Sequence, residues 1–266
     1  MTVMDQVKTV KILICAMGGE GGGVLMNWIV NAAWAKGYPV QATSVPGVAQ
    51  RTGATTYYIE MLPQKLPPGA AKPIFALIPT AGEVDVLIAT EAAEAARAAG
   101  NGLITPDRTH LIASTSRVYL MPEKMAMTDG RVDDKKLSII LHKSALKSVL
   151  FDANSAAKET GTVINAIMLG AVAAVGVIGI EFEDFVDAIK NEGKAVKSNI
   201  AGLSRGYAIA EGKSSDNMNG GKTEMFQETV VKNQFPESVQ PILQHAIRRL
   251  IDFQHSDYAE IYLYRL

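Results

Sequence analysis

Five glycines fall within six residues, Gly18–Gly23, and only Glu20 interrupts them. A glycine-rich turn between a strand and a helix can cradle phosphate, because its backbone N–H groups stay accessible and the helix N-terminus adds positive potential. A second explanation is that the backbone of a neighbouring helix or subunit packs against these glycines. Turn geometry alone is a third. The sequence leaves all three explanations open.

The named phosphate motifs do not fit this turn. A dinucleotide fingerprint places glycines at positions i, i+2 and i+5, but the third position is Val24 when counted from Gly19 and Met26 when counted from Gly21. The ribose-binding acid is missing from Gln41–Val45. A P-loop ends in Gly-Lys-Ser/Thr, whereas Val-Leu follows this glycine run. The sequence therefore does not favour a nicotinamide site or a Walker-type nucleotide site.

A second candidate segment runs from Pro46 to about Ala54 and contains Arg51. An arginine beside small residues suits a phosphate or a carboxylate, which its planar fork of donors matches. A solvated or loop-pinning arginine is the alternative, and hydroxyls at a strand end such as Thr43 more often cap backbone. The candidate ligand contacts in this region are Ser44, Pro46, Gly47, Arg51, Thr52 and Gly53.

The remaining reactive side chains predict no catalytic residue and no metal site in this chain. Cys15 is the single cysteine, which excludes an internal disulfide, a Cys-ligated zinc and a Cys-ligated iron–sulfur cluster. It lies inside a strand, where a buried, inert thiol is expected. The four histidines share no metal-ligand spacing. For Glu20, a backbone-capping role is favoured over general-base catalysis.

The composition is that of a globular protein with balanced charge. Hydrophobic residues make up 48% of the 266 residues, and 26 basic side chains against 27 acidic ones leave a net charge of −1. Low hydrophobicity with high net charge would indicate disorder, and a basic excess would indicate nucleic acid or an anionic membrane. Neither is present. The single cysteine and the lack of a signal-peptide pattern at the N-terminus favour a cytoplasmic location.

Buried strands alternate with helices along the chain. A continuously apolar strand at Lys11–Met17 precedes the glycines, a helix at Val24–Lys36 follows them, and further strands are predicted at Val40–Val45 and Thr55–Leu62. This order predicts a three-layer α/β fold with a parallel-rich sheet and helices on both faces. Such sheets bind ligands beyond the carboxyl ends of their strands, where both candidate segments would lie. The other predicted strands are Val84–Ala89, Gly102–Thr105 and His110–Ser114, and the other predicted helices are Glu91–Ala99, Leu137–Leu150, Asn154–Glu159, Phe182–Ile189 and Lys194–Ala210.

Two segments bear on the domain organisation. Ala166–Ile180 has no polar side chain, but it is shorter than the roughly 20 residues of a membrane span, so it predicts a buried core helix followed by a tight turn. Glu211–Glu224 is polar and lacks periodicity, as linkers do. Beyond it, Pro236–Phe253 predicts a helix with an apolar stripe. We therefore expect an α/β domain at residues 8–212, a linker at 213–224 and a helical interaction element at 225–266.

Four blocks of sequence resemble one known family. Met17–Val30 and Thr43–Met61 are similar to the start of the gamma-type subunit of 2-oxoacid:ferredoxin oxidoreductases, in particular the indolepyruvate (arylpyruvate) ferredoxin oxidoreductase beta subunits. Phe151–Gly176 and Asn199–Gly212 resemble later signatures of that family. The resemblance covers about residues 8–212. Glu20 replaces the commoner glutamine, as in the arylpyruvate branch.

The resemblance implies a function that the residues alone do not. These enzymes oxidatively decarboxylate a 2-oxoacid to an acyl-CoA and pass two electrons to ferredoxin. Thiamine diphosphate and iron–sulfur clusters lie on other subunits or domains. The gamma-type unit packs against the thiamine-binding units and, in some members, helps to hold coenzyme A. By resemblance, this chain is a non-catalytic subunit acting on an aryl 2-oxoacid. Its partner would be the thiamine- and cluster-bearing subunit, with ferredoxin reached through the complex.

Two other functions remain as alternatives. The glycine turn and Arg51 would suit a stand-alone protein that binds the phosphate of a nucleotide or a flavin. The chain would otherwise be a structural interaction subunit that contacts no ligand. Whichever function applies, the isolated chain is a candidate for homodimer formation. Nucleic-acid and membrane partners are not expected from the charge and hydropathy.

Overall fold

A computed structural model describes residues 8–45, 54–119, 123, 125, 130–213, 235–253 and 256–265. The chain divides into two compact units, Met1–Ser215 and Asp216–Leu266. The first unit carries the sheet and both candidate segments. The second is helical where it is described.

Six strands form one mixed sheet in the first unit. Its strand order is β2-β3-β1-β4-β5-β6. β1 pairs in parallel with β4, β4 with β5, and β5 with β6, whereas β3 lies antiparallel to both β1 and β2. Five of these six strands therefore point the same way, and the parallel-rich prediction is confirmed. The strands are β1 Val10–Met17, β2 Val40–Val45, β3 Ala54–Met61, β4 Val86–Ala89, β5 His110–Ser114 and β6 Lys147–Phe151.

Helices cover both faces of the sheet. Along β1 the side chains alternate, so that Ile12 and Ile14 join one hydrophobic core while Leu13 and Cys15 join the other. Helices α1 and α4–α7 pack on the first face, and α2 and α3 pack on the second. The helices of this unit are α1 Gly22–Ala35, α2 Ala92–Gly100, α3 Asp134–Ser144, α4 Ala153–Thr160, α5 Ile164–Val175, α6 Phe182–Glu192 and α7 Val196–Ala210.

The longest apolar segment of the sequence is the buried core helix that was predicted. It forms α5, which ends at Gly176 with a left-handed φ of 69°. Glycines bring α5 and α7 into backbone contact: a Cβ at Gly206 would lie 1.9 Å from the carbonyl oxygen of Ile167, and one at Gly170 would lie 2.0 Å from that of Leu203. Among the described residues, no helix is long and apolar enough to cross a membrane.

Two of the predicted elements are wrong. Leu137–Leu150 is not one helix, because α3 ends at Ser144 and Lys147–Phe151 forms the edge strand β6. Ala145 is extended at the end of α3, and the register of β6 against β5 supplies the hydrogen bonds that a longer helix would have made. Gly102–Thr105 is a turn rather than a strand, since Gly102 has a φ of 70° and closes the end of α2.

The second unit contains a pair of helices, α8 Gln240–Phe253 and α9 Ser256–Tyr264. Leu243 and Ile247 of α8 are buried together with Ala259 and Leu263 of α9. Of the stripe predicted on Pro236–Phe253, Leu243 and Leu250 pack against the end of the chain, whereas Val239 precedes the helix and is exposed. Large apolar side chains remain exposed on both helices, among them Ile242 and Tyr264.

Candidate functional site

The strand register brings the residues that flank the two candidate segments to one edge of the sheet. Met17, the last residue of β1, pairs with Ala54 at the start of β3, and Val45 at the end of β2 pairs with Thr56. Met17, Val45 and Ala54, the described residues next to the two candidate segments, therefore lie at the carboxyl edge of the parallel strands. Residues 46–53 themselves lie outside the described residues.

A topological switch point lies at this same edge. β1 and β4 are neighbouring parallel strands, but α1 packs on one face of the sheet and α2 on the other. Where successive crossovers leave on opposite faces, a crevice opens beyond the carboxyl ends of the two strands, and α/β proteins bind their ligands there. The glycine turn after β1 forms one lip of this crevice. The other lip is Thr90–Glu91, the connection from β4 to α2.

The first half of the glycine turn is open. Gly18 and Gly19 are exposed, and a Cβ at Gly19 would meet nothing within 4 Å. Gly19 has a φ of 93°, a conformation that glycine adopts without strain. No side chain caps the N-terminus of α1, and its first turn holds no acidic residue. The N–H groups of a helix N-terminus without a side-chain cap attract anions, and those of α1 belong to residues from Gly22 onward, next to the open half of the turn.

In the second half of the turn, other side chains of the same domain pack closely against Gly21 and Gly22. A Cβ at Gly21 would lie 2.6 Å from Asn165 Nδ2, and one at Gly22 would lie 2.6 Å from the ring of Tyr57. Gly23 has ordinary space, with its nearest neighbour at 3.6 Å. Close packing inside the domain therefore explains Gly21 and Gly22, whereas it does not explain Gly19. The approaching atoms belong to side chains, so this packing differs from the backbone contact of the second explanation, and the positive φ of Gly19 agrees with the third, turn geometry.

Glu20 folds its side chain back onto the strand and across the crevice. Its Oε2 accepts a hydrogen bond from the Met17 N–H at 3.2 Å and another from the hydroxyl of Thr90. The Glu20 N–H donates to the Met17 carbonyl at 3.1 Å, which closes the turn. The carboxylate thus bonds to backbone at the end of β1 rather than at the start of α1.

Two buried polar residues of this site have only weak sequence signals. Thr90 is fully buried directly after a buried strand, and Asn165 is 3% exposed at the start of the apolar helix α5. Asn165 Nδ2 contacts the carbonyl oxygen of Gly21 at 3.4 Å, and its Oδ1 accepts from the Ala166 N–H at 2.9 Å. A polar residue at the boundary of an apolar run is the signal that would have singled out either one.

Glu91 completes the second lip of the crevice. It caps α2 by accepting from the Glu94 N–H at 3.1 Å, and its other oxygen accepts from the Val118 N–H at 2.7 Å. Burial raises the pKa of this carboxyl, which opposes the lowering effect of those backbone hydrogen bonds. The residue therefore ties the segment after β5 to the edge that carries the glycine turn.

Of the predicted contacts outside the glycine turn, Ser44 alone lies among the described residues. Ser44 is exposed at the end of β2, and its neighbour Thr43 donates its hydroxyl to the Leu77 carbonyl at 2.6 Å. Arg51 lies in the part of the chain that the structure does not describe. The same is true of Pro46, Gly47, Thr52 and Gly53.

Cys15 and His142 lie in different environments, one buried and the other exposed. Cys15 is buried in β1, and burial raises the pKa of its thiol to about 12. His142 Nδ1 shares a hydrogen bond with Ser148 Oγ at 2.5 Å on the exposed side of α3. Over the described ranges, no group of three or more His, Cys, Asp or Glu side chains could hold a metal ion.

Comparison with known proteins identifies related chains. Residues 11–209 match the family described as pyruvate ferredoxin/flavodoxin oxidoreductase. The protein named indolepyruvate oxidoreductase subunit IorB from Archaeoglobus fulgidus is 25% identical over 201 residues, which span 74% of this chain and 93% of that protein. The protein of the same name from Thermococcus kodakarensis is 24% identical over 188 residues, which span 69% of this chain and 86% of its own length.

Solved structures share the fold at lower identity. The gamma subunit of keto/oxoacid ferredoxin oxidoreductase from Geobacter sulfurreducens has a TM-score of 0.51 at 16% identity, over 76% of this chain and 99% of that chain. The 2-oxoglutarate:ferredoxin oxidoreductase from Magnetococcus marinus, solved with 2-oxoglutarate, coenzyme A and succinyl-CoA bound, has a TM-score of 0.55 at 16% identity. The match covers 77% of the present chain but only 31% of the Magnetococcus chain.

Proposed function

The chain belongs to the pyruvate ferredoxin/flavodoxin oxidoreductase family, and on that premise we propose that it is the gamma-type subunit of an arylpyruvate ferredoxin oxidoreductase. The family match over residues 11–209 is the observation that carries the proposal. The two relatives named as indolepyruvate oxidoreductase subunits support the aryl substrate, because this chain spans most of the length of each.

In the proposed reaction, an aryl 2-oxoacid and coenzyme A give an aryl acyl-CoA and carbon dioxide. The C1–C2 bond of the oxoacid and the S–H bond of coenzyme A break, a thioester bond forms at C2, the thiol proton is released, and two electrons reduce ferredoxin. Thiamine diphosphate and iron–sulfur clusters would supply this chemistry from a partner subunit. Clusters are held by several thiolates, and the single thiol of this chain is buried in β1. The residues described here therefore do not fit a cluster.

We assign two supporting roles to this chain, assembly with the catalytic subunit and a share in holding coenzyme A. The open half of the glycine turn supports the second role, because Gly18 and Gly19 are exposed beside a helix N-terminus at the switch point. A phosphate or amide of coenzyme A is the kind of group that exposed backbone N–H donors recognise. Ser44, at the exposed end of β2, would extend the site along the same edge, and we keep Pro46, Gly47, Arg51, Thr52 and Gly53 as proposed contacts. The complex would work in the cytoplasm.

Substrate preference tests the aryl assignment. The complex, purified anaerobically through a tag on this chain, would be assayed for ferredoxin reduction with coenzyme A and each of four oxoacids: indolepyruvate, phenylpyruvate, pyruvate and 2-oxoglutarate. The proposal expects the highest kcat/KM with the two aryl substrates. A preference for pyruvate or 2-oxoglutarate would refute the aryl assignment and leave the family membership intact.

A further inference from the structure

Thr90 stands out because it is a fully buried hydroxyl at the mouth of the crevice. It follows β4 directly, and its N–H donates to the Cys15 carbonyl at 3.0 Å, so its backbone is held in register with β1. Its hydroxyl donates to Glu20 Oε2 and accepts from the Met17 N–H at 3.3 Å. The Thr90 hydroxyl thus bonds both to Glu20 in the glycine turn and to Met17, the residue directly before it.

These contacts connect the two lips of the crevice. Glu20 lies on the lip formed by the turn after β1, and Thr90 lies on the lip formed by the connection from β4 to α2. Because Met17 and Thr90 both bond to the Glu20 carboxylate, the position of this carboxylate depends on strands on either side of the switch point. Gly18 and Gly19 lie between Met17 and Glu20, and both are exposed.

We propose that Thr90 is a positioning residue for the glycine turn. It holds Glu20, and through Glu20 it keeps the exposed backbone at Gly18 and Gly19 in one arrangement for the ligand. Asn165 supports the same turn from the other side through the Gly21 carbonyl. The inference rests on the proposed function only in naming coenzyme A as the ligand. The connection between Thr90 and the turn does not depend on the ligand.

A matched pair of substitutions separates positioning from packing. Thr90→Ser keeps the hydroxyl and removes a methyl group, whereas Thr90→Val keeps the shape and removes the hydroxyl. The full chain would be used for both. Amide hydrogen exchange at Met17 and Glu20 reports the turn directly, and exchange in β5 reports the stability of the sheet. Isothermal titration with coenzyme A reports binding.

For Thr90→Val we expect exchange at Met17 and Glu20 to rise about tenfold while exchange in β5 stays unchanged. We also expect the Kd for coenzyme A to rise about tenfold. Thr90→Ser should stay within about twofold of the wild type in both measurements. Unchanged exchange at the turn in Thr90→Val would overturn the proposal, as would an equal rise throughout the sheet.

The coenzyme A titration has two further outcomes. If the wild-type chain binds coenzyme A and Thr90→Val binds it equally well, Thr90 has a structural role only and the positioning proposal fails. If the wild-type chain shows no coenzyme A binding in isolation or in the complex, the coenzyme A role fails. The exchange measurements then still decide whether Thr90 positions the turn.

Discussion

Replacing Gly22 by alanine tests how the glycine turn is packed. The added Cβ would lie 2.6 Å from Tyr57 Cε2 and 2.7 Å from the Cβ of Ala16. Carbon atoms in contact prefer about 3.5–4.0 Å, so each gap is about 1 Å too short. The ring of Tyr57 can yield, but Ala16 is fixed by the pairing of β1 with both β3 and β4. Overpacking of this kind typically costs about 1–3 kcal/mol.

Gly23→Ala is the matched control. Its Cβ would lie 3.6 Å from the ring of Tyr57, which is an ordinary contact, and its backbone is already helical. Exchanging glycine for alanine in a helix gains roughly 0.5–1 kcal/mol. The two adjacent substitutions therefore differ in sign: Gly22→Ala should lower the free energy of unfolding, and Gly23→Ala should leave it equal or raise it.

Urea unfolding followed by tryptophan fluorescence measures both variants. Trp28 and Trp34, the two tryptophans of the chain, are both in α1, so their signal reports the α/β unit. The slope with urea should be the same in all three proteins, which makes the midpoints comparable. Equal stability of Gly22→Ala and the wild type would refute the packing described for the turn. An equal loss in Gly23→Ala would refute it as well.

Three further predictions concern other parts of the chain. Burial raises the pKa of Cys15 to about 12, so its thiol should resist alkylation at pH 8 until urea unfolds the chain, and labelling of the folded chain at pH 8 would contradict this. Relative to Cys15→Ala, the free energy of unfolding of the wild type should fall as pH rises from about 9 toward 12, because the thiol ionises first in the unfolded chain. Gly206→Ala should cost about 3 kcal/mol in urea unfolding, because its Cβ would strike the carbonyl of Ile167, while the exposed Ser204→Ala on the same helix should be close to neutral. Deleting residues 225–266 should leave the α/β domain folded by circular dichroism but weaken self-association or partner binding by sedimentation, and outright unfolding would show that the helices belong to the core of that domain.

Local patterns predicted most of the elements around the site. The apolar run before Gly18 and the helical spacing after Gly23 define β1 and α1 without any tertiary information. The antiparallel β3 lies between β1 and β2, although it follows both in the sequence. That placement depends on pairing between distant segments, which periodicity does not report.

The polar contacts of the site are equally non-local. Glu20 bonds to a threonine 70 residues away, and Gly21 contacts an asparagine 144 residues away. The sequence could show that the turn is rich in glycine. It could not show that Tyr57 leaves no room for a Cβ at Gly22, whereas a Cβ at Gly19 would contact nothing. The strand Lys147–Phe151 was missed for a related reason. Its residues suit a helix or a strand, and pairing with β5 decides between them.

The central claim is that this chain is a supporting subunit of a thiamine-dependent oxidoreductase. The most direct measurement is anaerobic affinity purification of the tagged chain from its native host, with mass spectrometry of the complex and assay of arylpyruvate- and coenzyme A-dependent ferredoxin reduction. We predict a large partner that contains thiamine diphosphate and iron–sulfur clusters, turnover by the complex, and none by the isolated chain. Turnover by the isolated chain, or a purified complex without such a partner, would contradict the claim.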